Sequence, residues 1–199
     1  MTEELGLRAR KKRQRRRCIE DAAIDLFETD GFDATTIEHI AAAADISPRT
    51  FFYYFPTKED VVLADYATRL ERIIAELGQR PDTEVPWAAL RASFLVVAAD
   101  YEAHRDDLIR RFTIMAANPS VFARSLQLQA GWEDALIDVL NRRRHSHTEN
   151  IEARLLASAS LACMRSSLQH WIITGHRTAL PALIDGCFAQ LADGLDETD

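Results

Sequence analysis

Glycine, proline and cysteine are scarce in this chain, at 7, 6 and 3 of 199 residues. Glycine and proline this few and this scattered exclude collagen-like and low-complexity architectures. Long apolar runs are missing too: the longest, Phe94 to Ala99, falls far short of the roughly 18 residues that cross a bilayer. The basic N-terminal stretch runs directly into Cys18-Ile19-Glu20-Asp21, without the roughly 7 to 15 apolar residues of a signal peptide, so a cytoplasmic protein with no membrane partner is expected. Cys18, Cys163 and Cys187 are an odd set with no short spacing, which argues against a disulfide framework or a zinc knuckle. They are expected to be small, mostly buried hydrophobes.

What is present, 47% hydrophobic and 28% charged residues, describes a soluble globular chain of one or two domains. The formal net charge of -7 hides an uneven distribution. Arg8, Arg10, Lys11, Lys12, Arg13, Arg15, Arg16 and Arg17 crowd into ten acid-free positions, so a basic arm precedes a strongly acidic body.

Apolar residues recur at helical period almost everywhere and strand-type alternation is nearly absent, which predicts an all-α fold of nine helices. Ile19, Ala22, Ala23, Leu26 and Phe27 line one face of the first helix, which Gly31 stops. Thr35 with Glu38 reads as a capping box opening the second. Ser47-Pro48 opens a short third helix that Pro56 stops, and Thr57 with Asp60 caps a long fourth helix ending near Gly78. After a linker at 79–85, helices are expected from Pro86-Trp87, from about Asp106 to Asn118-Pro119, from about Ser120 to Arg144, from about Thr148 to Thr174, and from Leu180 to Leu195. The expected organisation is a basic arm at 1–17, a DNA-binding domain at 18–62, and a ligand-binding and dimerisation domain at 63–199.

Residues 35–55 hold two helices separated only by Asp45-Ile46, a connection suited to a helix-turn-helix. The second carries Phe51-Phe52-Tyr53-Tyr54-Phe55, and a helix this short cannot bury five aromatics, so some must face outward. Arg49, Thr50 and Tyr53 are of types that reach base edges and phosphates in a major groove. Lys58 adds charge where a helix N-terminus can bind a phosphate. The arm reads either as an extended strand in the minor groove or as a solvated tail.

Together Ala23-Ile24-Asp25-Leu26-Phe27, Gly31-Phe32, Thr35-Thr36-Ile37, Ile40-Ala41, Ala44, Ser47, Thr50 to Phe55 and Lys58-Glu59 resemble the DNA-binding domain of the TetR family of bacterial regulators. The resemblance implies a homodimer on double-stranded palindromic operator DNA, released by a small molecule bound in the C-terminal domain, and no enzymatic activity. Thr36, Ser47, Pro48, Arg49, Thr50, Tyr53, Tyr54 and Lys58 match the family's operator-contacting positions. With Arg13, Arg15, Arg16 and Arg17 of the arm and with Thr35, they form the candidate DNA surface. Ser47-Pro48-Arg49 departs from the commoner small-residue or glycine-containing start of the recognition helix.

The C-terminal part, through Arg110-Arg111-Phe112, Asn118-Pro119, Ala130-Gly131-Trp132 and His170-Trp171, is similar to the subgroup of that family containing the mycofactocin-system regulator. That implies an acyl-CoA-like or other small hydrophobic effector and no cofactor. Phe94, Tyr101, Phe112, Met115, Phe122, Leu126, Trp132, Met164 and Trp171 are candidates for the pocket or for ordinary core. Arg105, Arg110, Arg111 and Arg177 are candidates for the effector's phosphates or for surface ion pairing. The small-residue stripe at Ala157 to Cys163 and the apolar face of the last helix fit either a homodimer interface or an intramolecular core. His145 and His147 form an HxH beside Arg142-Arg143-Arg144, which reads as a polar loop rather than a metal site. No nucleophile elbow, glycine loop or carboxylate pair suggests catalysis. A constitutive DNA-binding protein without effector response remains the alternative.

Overall fold

The computed structural model describes residues 2–143 and 151–194, with side chains from residue 10 onward. Among these residues the structure holds ten helices and no strand. They are α1 (Thr2–Thr29), α2 (Ile37–Ala43), α3 (Pro48–Tyr54), α4 (Glu59–Val62), α5 (Tyr66–Gln79), α6 (Pro86–Ala103), α7 (Arg105–Ala117), α8 (Pro119–Arg143), α9 (Ile151–Ile173) and α10 (Leu180–Asp193). None is long and apolar enough to cross a membrane. His145, His147 and Leu195 lie outside the described residues.

The tenth helix arises because the expected fourth is two, α4 and α5, parted by Leu63 to Asp65. Side-chain donors reach the carbonyls at this break. Arg111 Nη1 donates to Val61 O at 2.9 Å and Val62 O at 3.4 Å, and Arg16 Nη2 donates to Ala64 O at 2.9 Å. In an unbroken helix these three acceptors carry the next turn of the ladder.

A second correction concerns the arm, which is no extended strand: α1 is one helix from Thr2 to Thr29. Arg, Lys and Gln are good helix formers, so from residue 10 on the basic run continues the helix nucleated by the apolar face at Ile19 to Phe27.

The chain divides into two compact units, and the division is not linear: Ile109–Ser125 groups with the residues up to Ala64. In this first unit α1 packs against α2 and α4, and α2 against α3, around Ile19, Ala23, Phe27, Ile40, Phe51 and Phe55. Three arginines tie the later segment to it. Arg110 donates to Asp25 Oδ1 at 2.5 Å and to Glu28 Oε1 and Oε2 at 2.9 and 2.7 Å, Arg111 reaches Glu20 as well as α4, and Arg124 pairs with Asp60 at 2.8 Å.

The second unit comprises Asp65–Leu108 and the residues from Leu126 on. Its centre is α6, apolar on nearly every side, packed against α5, α9 and α10. Phe188 of α10 is fully buried against Trp87 and Phe94, and the Trp87 indole donates to its carbonyl at 3.1 Å. Ala179 cannot cap α10 with a side chain, and Glu102 of α6 supplies the missing acceptor to Leu180 N at 3.0 Å. Arg143 closes the C-terminus of α5 by donating to the carbonyls of Leu77, Arg80 and Pro81.

The cysteines depart from the sequence expectation. Cys163 is buried, and desolvation followed by the nearby Cys187 pushes its thiol up to about 12. Cys187 is half-buried beside Ser167, whereas Cys18 is exposed on α1.

Candidate nucleic-acid interface

The interface begins with the turn between α2 and α3. Asp45 N donates to Ala42 O and Ile46 N to Ala41 O, the paired bonds of a Schellman motif. Its left-handed position, usually glycine, is taken by Asp45 at φ 51°, which a short polar residue tolerates. The entry to α2 is capped one residue later than expected. Thr36 accepts from His39 N at 3.2 Å, and His39 Nδ1 accepts from Thr36 N at 3.5 Å. Thr35 instead turns inward, 1% exposed, and its hydroxyl donates to Gly31 O at 2.8 Å. This removes Thr35 from the candidate DNA surface: its side chain locks the end of α1.

The recognition helix opens as expected. Ser47 Oγ accepts from Thr50 N at 3.1 Å, Pro48 occupies the first turn, and Phe55 leaves the helix extended ahead of Pro56. Its aromatics divide by helical phase. Phe51 and Phe55 are buried, Tyr54 is half-buried, and Phe52 and Tyr53 stand 54% and 68% exposed. Ser47, Pro48 and Arg49 are exposed beside them, with Thr50 half-buried.

Two expected phosphate ligands are engaged elsewhere. Lys58 Nζ donates to Phe32 O at 2.7 Å and Thr35 O at 3.3 Å and lies 4.3 Å from the centre of the Phe32 ring. Arg16 pairs with Glu20, donates to Ala64 O and stacks 5.0 Å over Phe55. Both hold the fold of the first unit. Arg10, Lys11, Lys12, Arg13, Arg15 and Arg17 remain exposed along α1.

The effector candidates separate between the units. Phe94, Tyr101, Trp132, Met164 and Trp171 are buried in the second, where Leu126 is 43% exposed. Phe112 and Met115 are buried in the first, which also holds Arg110 and the 39% exposed Phe122. Arg110 is not free for an anion: its hydrogen bonds to Glu28 and then Asp25 raise its pKa further. Sequence reasoning missed Arg69, which pairs with Asp65 and lies 3.8 Å over the buried Tyr101 ring in the second unit. Its i,i+4 spacing from Asp65 was the available signal.

Residues 19–64 match the profile described as bacterial regulatory proteins, tetR family, and residues 84–196 match that of the MftR C-terminal domain. The chain belongs to the TetR family. Like the family, it is a transcriptional regulator and not an enzyme. This TetR-family chain is 27% identical over 178 residues to a protein named as the mycofactocin biosynthesis transcriptional regulator MftR of Mycobacterium tuberculosis, covering 89% of each. It is 40% identical over 92 residues to the regulator TcmR of Streptomyces glaucescens, a match spanning 46% of this chain and 41% of that one. Among solved structures it resembles the repressor FadR of Thermus thermophilus in complex with lauroyl-CoA, at 26% identity and a TM-score of 0.59, covering 92% of this chain and 96% of that one.

The inward role of Lys58 in this TetR-family head has a measurable consequence. Lys58→Met leaves two carbonyls without a charged donor and is expected to lower the stability of the first unit by about 1–3 kcal/mol in urea unfolding. Unchanged stability with weakened DNA binding would return Lys58 to the phosphates.

Proposed function

We propose that the protein is an effector-responsive repressor that binds a palindromic operator as a homodimer through α3 and is released by an acyl-CoA-like or similarly apolar effector. The observation that carries this reading is the division of α3 into a buried anchor, Phe51 and Phe55, and an exposed set, Ser47, Pro48, Arg49 and Tyr53. It offers a major groove polar and aromatic groups on a rigid support.

The dimer is supported by the outer faces of the last two helices. Ala157, Ser160 and Cys163 of the small-residue stripe are buried within the chain, as are Ile184 and Phe188. Leu155 stays 65% exposed, Ala159 and Ala162 half-exposed, and Ala182, Gly186 and Gln190 exposed. Small residues spaced one turn apart permit close helix packing between protomers. Gly186 is exposed and a Cβ there meets nothing within 4 Å, so Gly186→Arg should leave the protomer folded, convert the dimer to monomer in sedimentation, and abolish tight operator binding.

The effector reading draws on the FadR complex with lauroyl-CoA and on the second unit itself. Its buried aromatics accompany the unpartnered buried atoms Trp171 Nε1 and His176 Nε2, polar positions able to orient a ligand. The test is fluorescence anisotropy on labelled DNA from the upstream region of the chain's own gene and on scrambled DNA, with and without lauroyl-CoA. Selective binding released by lauroyl-CoA is the expected outcome. Selective binding that no acyl-CoA or other apolar compound affects would favour a constitutive regulator, and equal binding to scrambled DNA would remove the operator from this region.

A further inference from the structure

A cationic concave feature lies beside the recognition helix. A groove of about 790 Å³ between α1 and α3 is lined by Lys11, Lys12, Gln14, Arg15, Cys18, Tyr53 and Tyr54. Three of these side chains are cations, two are phenols and none is an acid, on a chain whose formal net charge is -7. We propose that this groove seats one sugar-phosphate strand of the duplex, flanking the bases that α3 meets. The proposal rests on the DNA-binding reading above and assigns its electrostatic part to one face of α1.

The helical state of the basic run makes the assignment specific. At 100° per residue Lys11, Gln14, Arg15 and Cys18 share one face of α1, with Lys12 at its border. Arg10 falls at the opposite border, Arg13 and Arg17 fall further round toward the far side, and Arg16 is turned into the fold against Glu20, Ala64 and Phe55. An extended arm or a solvated tail would give all these cations equal standing; a helix does not. Lys12 Nζ stands 5.0 Å from the centre of the Tyr53 ring, and Tyr53 meets Tyr54 edge-on at 5.1 Å, so the groove wall and the exposed surface of α3 are one continuous structure. From Lys11 to Cys18 the helix rises about 10 Å. That is the axial length of about three phosphates on one strand, against three lining cations.

The experiment uses the full chain and two paired variants, Lys11→Ala with Arg15→Ala on the groove face and Arg13→Ala with Arg17→Ala on the far face. All four side chains are exposed and alanine is the best helix former, so α1 persists in both; circular dichroism checks it. Affinity is measured against salt on the upstream duplex and on a scrambled one. The groove pair is expected to flatten the log–log salt slope by about two units, on both duplexes alike, because each phosphate contact contributes about 0.9. The far-face pair, also exposed cations of the candidate DNA surface but turned away from the groove, is expected to change the slope by less than half as much. Exposed Cys18 serves as a native reporter inside the groove: bound duplex should slow its alkylation by maleimide about tenfold, read on the Cys18 peptide by mass spectrometry.

Equal effects of the two pairs, or Cys18 alkylated at the same rate with and without bound duplex, would overturn the groove while wild-type selective binding kept the DNA reading. Wild-type protein that binds neither duplex overturns both.

Discussion

Replacing Arg111 by alanine is expected to cost the first unit about 3 kcal/mol, at the lower end of what a severed buried ion pair costs. Arg111 is 6% exposed, and among its partners are the Glu20 carboxylate at 3.3 Å and the carbonyls of Val61 and Val62. Its removal takes the charged donor from both carbonyls, leaving Val61 O its long backbone bond from Ala64 N at 3.3 Å. Glu20 keeps Arg16 at 3.1 Å, which holds the loss below the upper end of the range. The expected signature is a lower urea midpoint by far-UV circular dichroism. Trp87, Trp132 and Trp171 all belong to the second unit, so tryptophan fluorescence tells whether the loss is confined to the first. Arg111→Lys should recover only part of it, since an ammonium cannot span two carbonyls and a carboxylate with the planar fork of a guanidinium. A midpoint unmoved by Arg111→Ala would mean that the arginine does not hold α4.

Arg111 also marks the boundary of what the sequence reveals. The cap at Ser47-Pro48 and the stop at Pro56 were legible because their chemistry is confined to a few neighbouring residues. The cap of α2 was misplaced by one residue because Thr35 and Thr36 offer the same hydroxyl. What separates them is the Thr35 bond back to Gly31, which helix-start patterns do not contain. The basic run was legible as charge and not as conformation, since charge density alone distinguishes no strand from a helix. Lys58 and Arg16 were read as phosphate ligands, and Arg110 as a phosphate ligand or a surface ion pair, for a shared reason. Each is a cation of the type that meets phosphate, but its partner is a carbonyl or carboxylate brought close only by folding: Phe32 for Lys58, Ala64 for Arg16, Asp25 and Glu28 for Arg110. The same folding draws Ile109–Ser125 into the first unit, a grouping invisible to a linear reading of domains.

The recognition helix offers the sharpest separation of folding from contact. Phe51→Ala is expected to destabilise the first unit by about 3–5 kcal/mol, because Phe51 is fully buried and a cavity remains where its ring met Phe52 and Phe55. In a unit this small such a loss is a large share of the total, so DNA binding fails through unfolding. Tyr53, two residues on and 68% exposed, should behave in the opposite way. Tyr53→Ala gives up little packing beyond its edge contact with Tyr54 and the nearby Lys12 ammonium, and a surface substitution of this kind stays within about 0.5 kcal/mol. Its cost should appear in operator affinity, about 1–2 kcal/mol or roughly tenfold, with the urea midpoint unchanged. Phe51→Leu keeps most of the buried volume and should restore both folding and binding in large part. If Tyr53→Ala lowered the midpoint as far as Phe51→Ala, the exposed tyrosine would belong to the core and α3 would present a different face to DNA. If it changed neither midpoint nor affinity, the contact surface would contract to Ser47, Pro48 and Arg49 at the start of the helix.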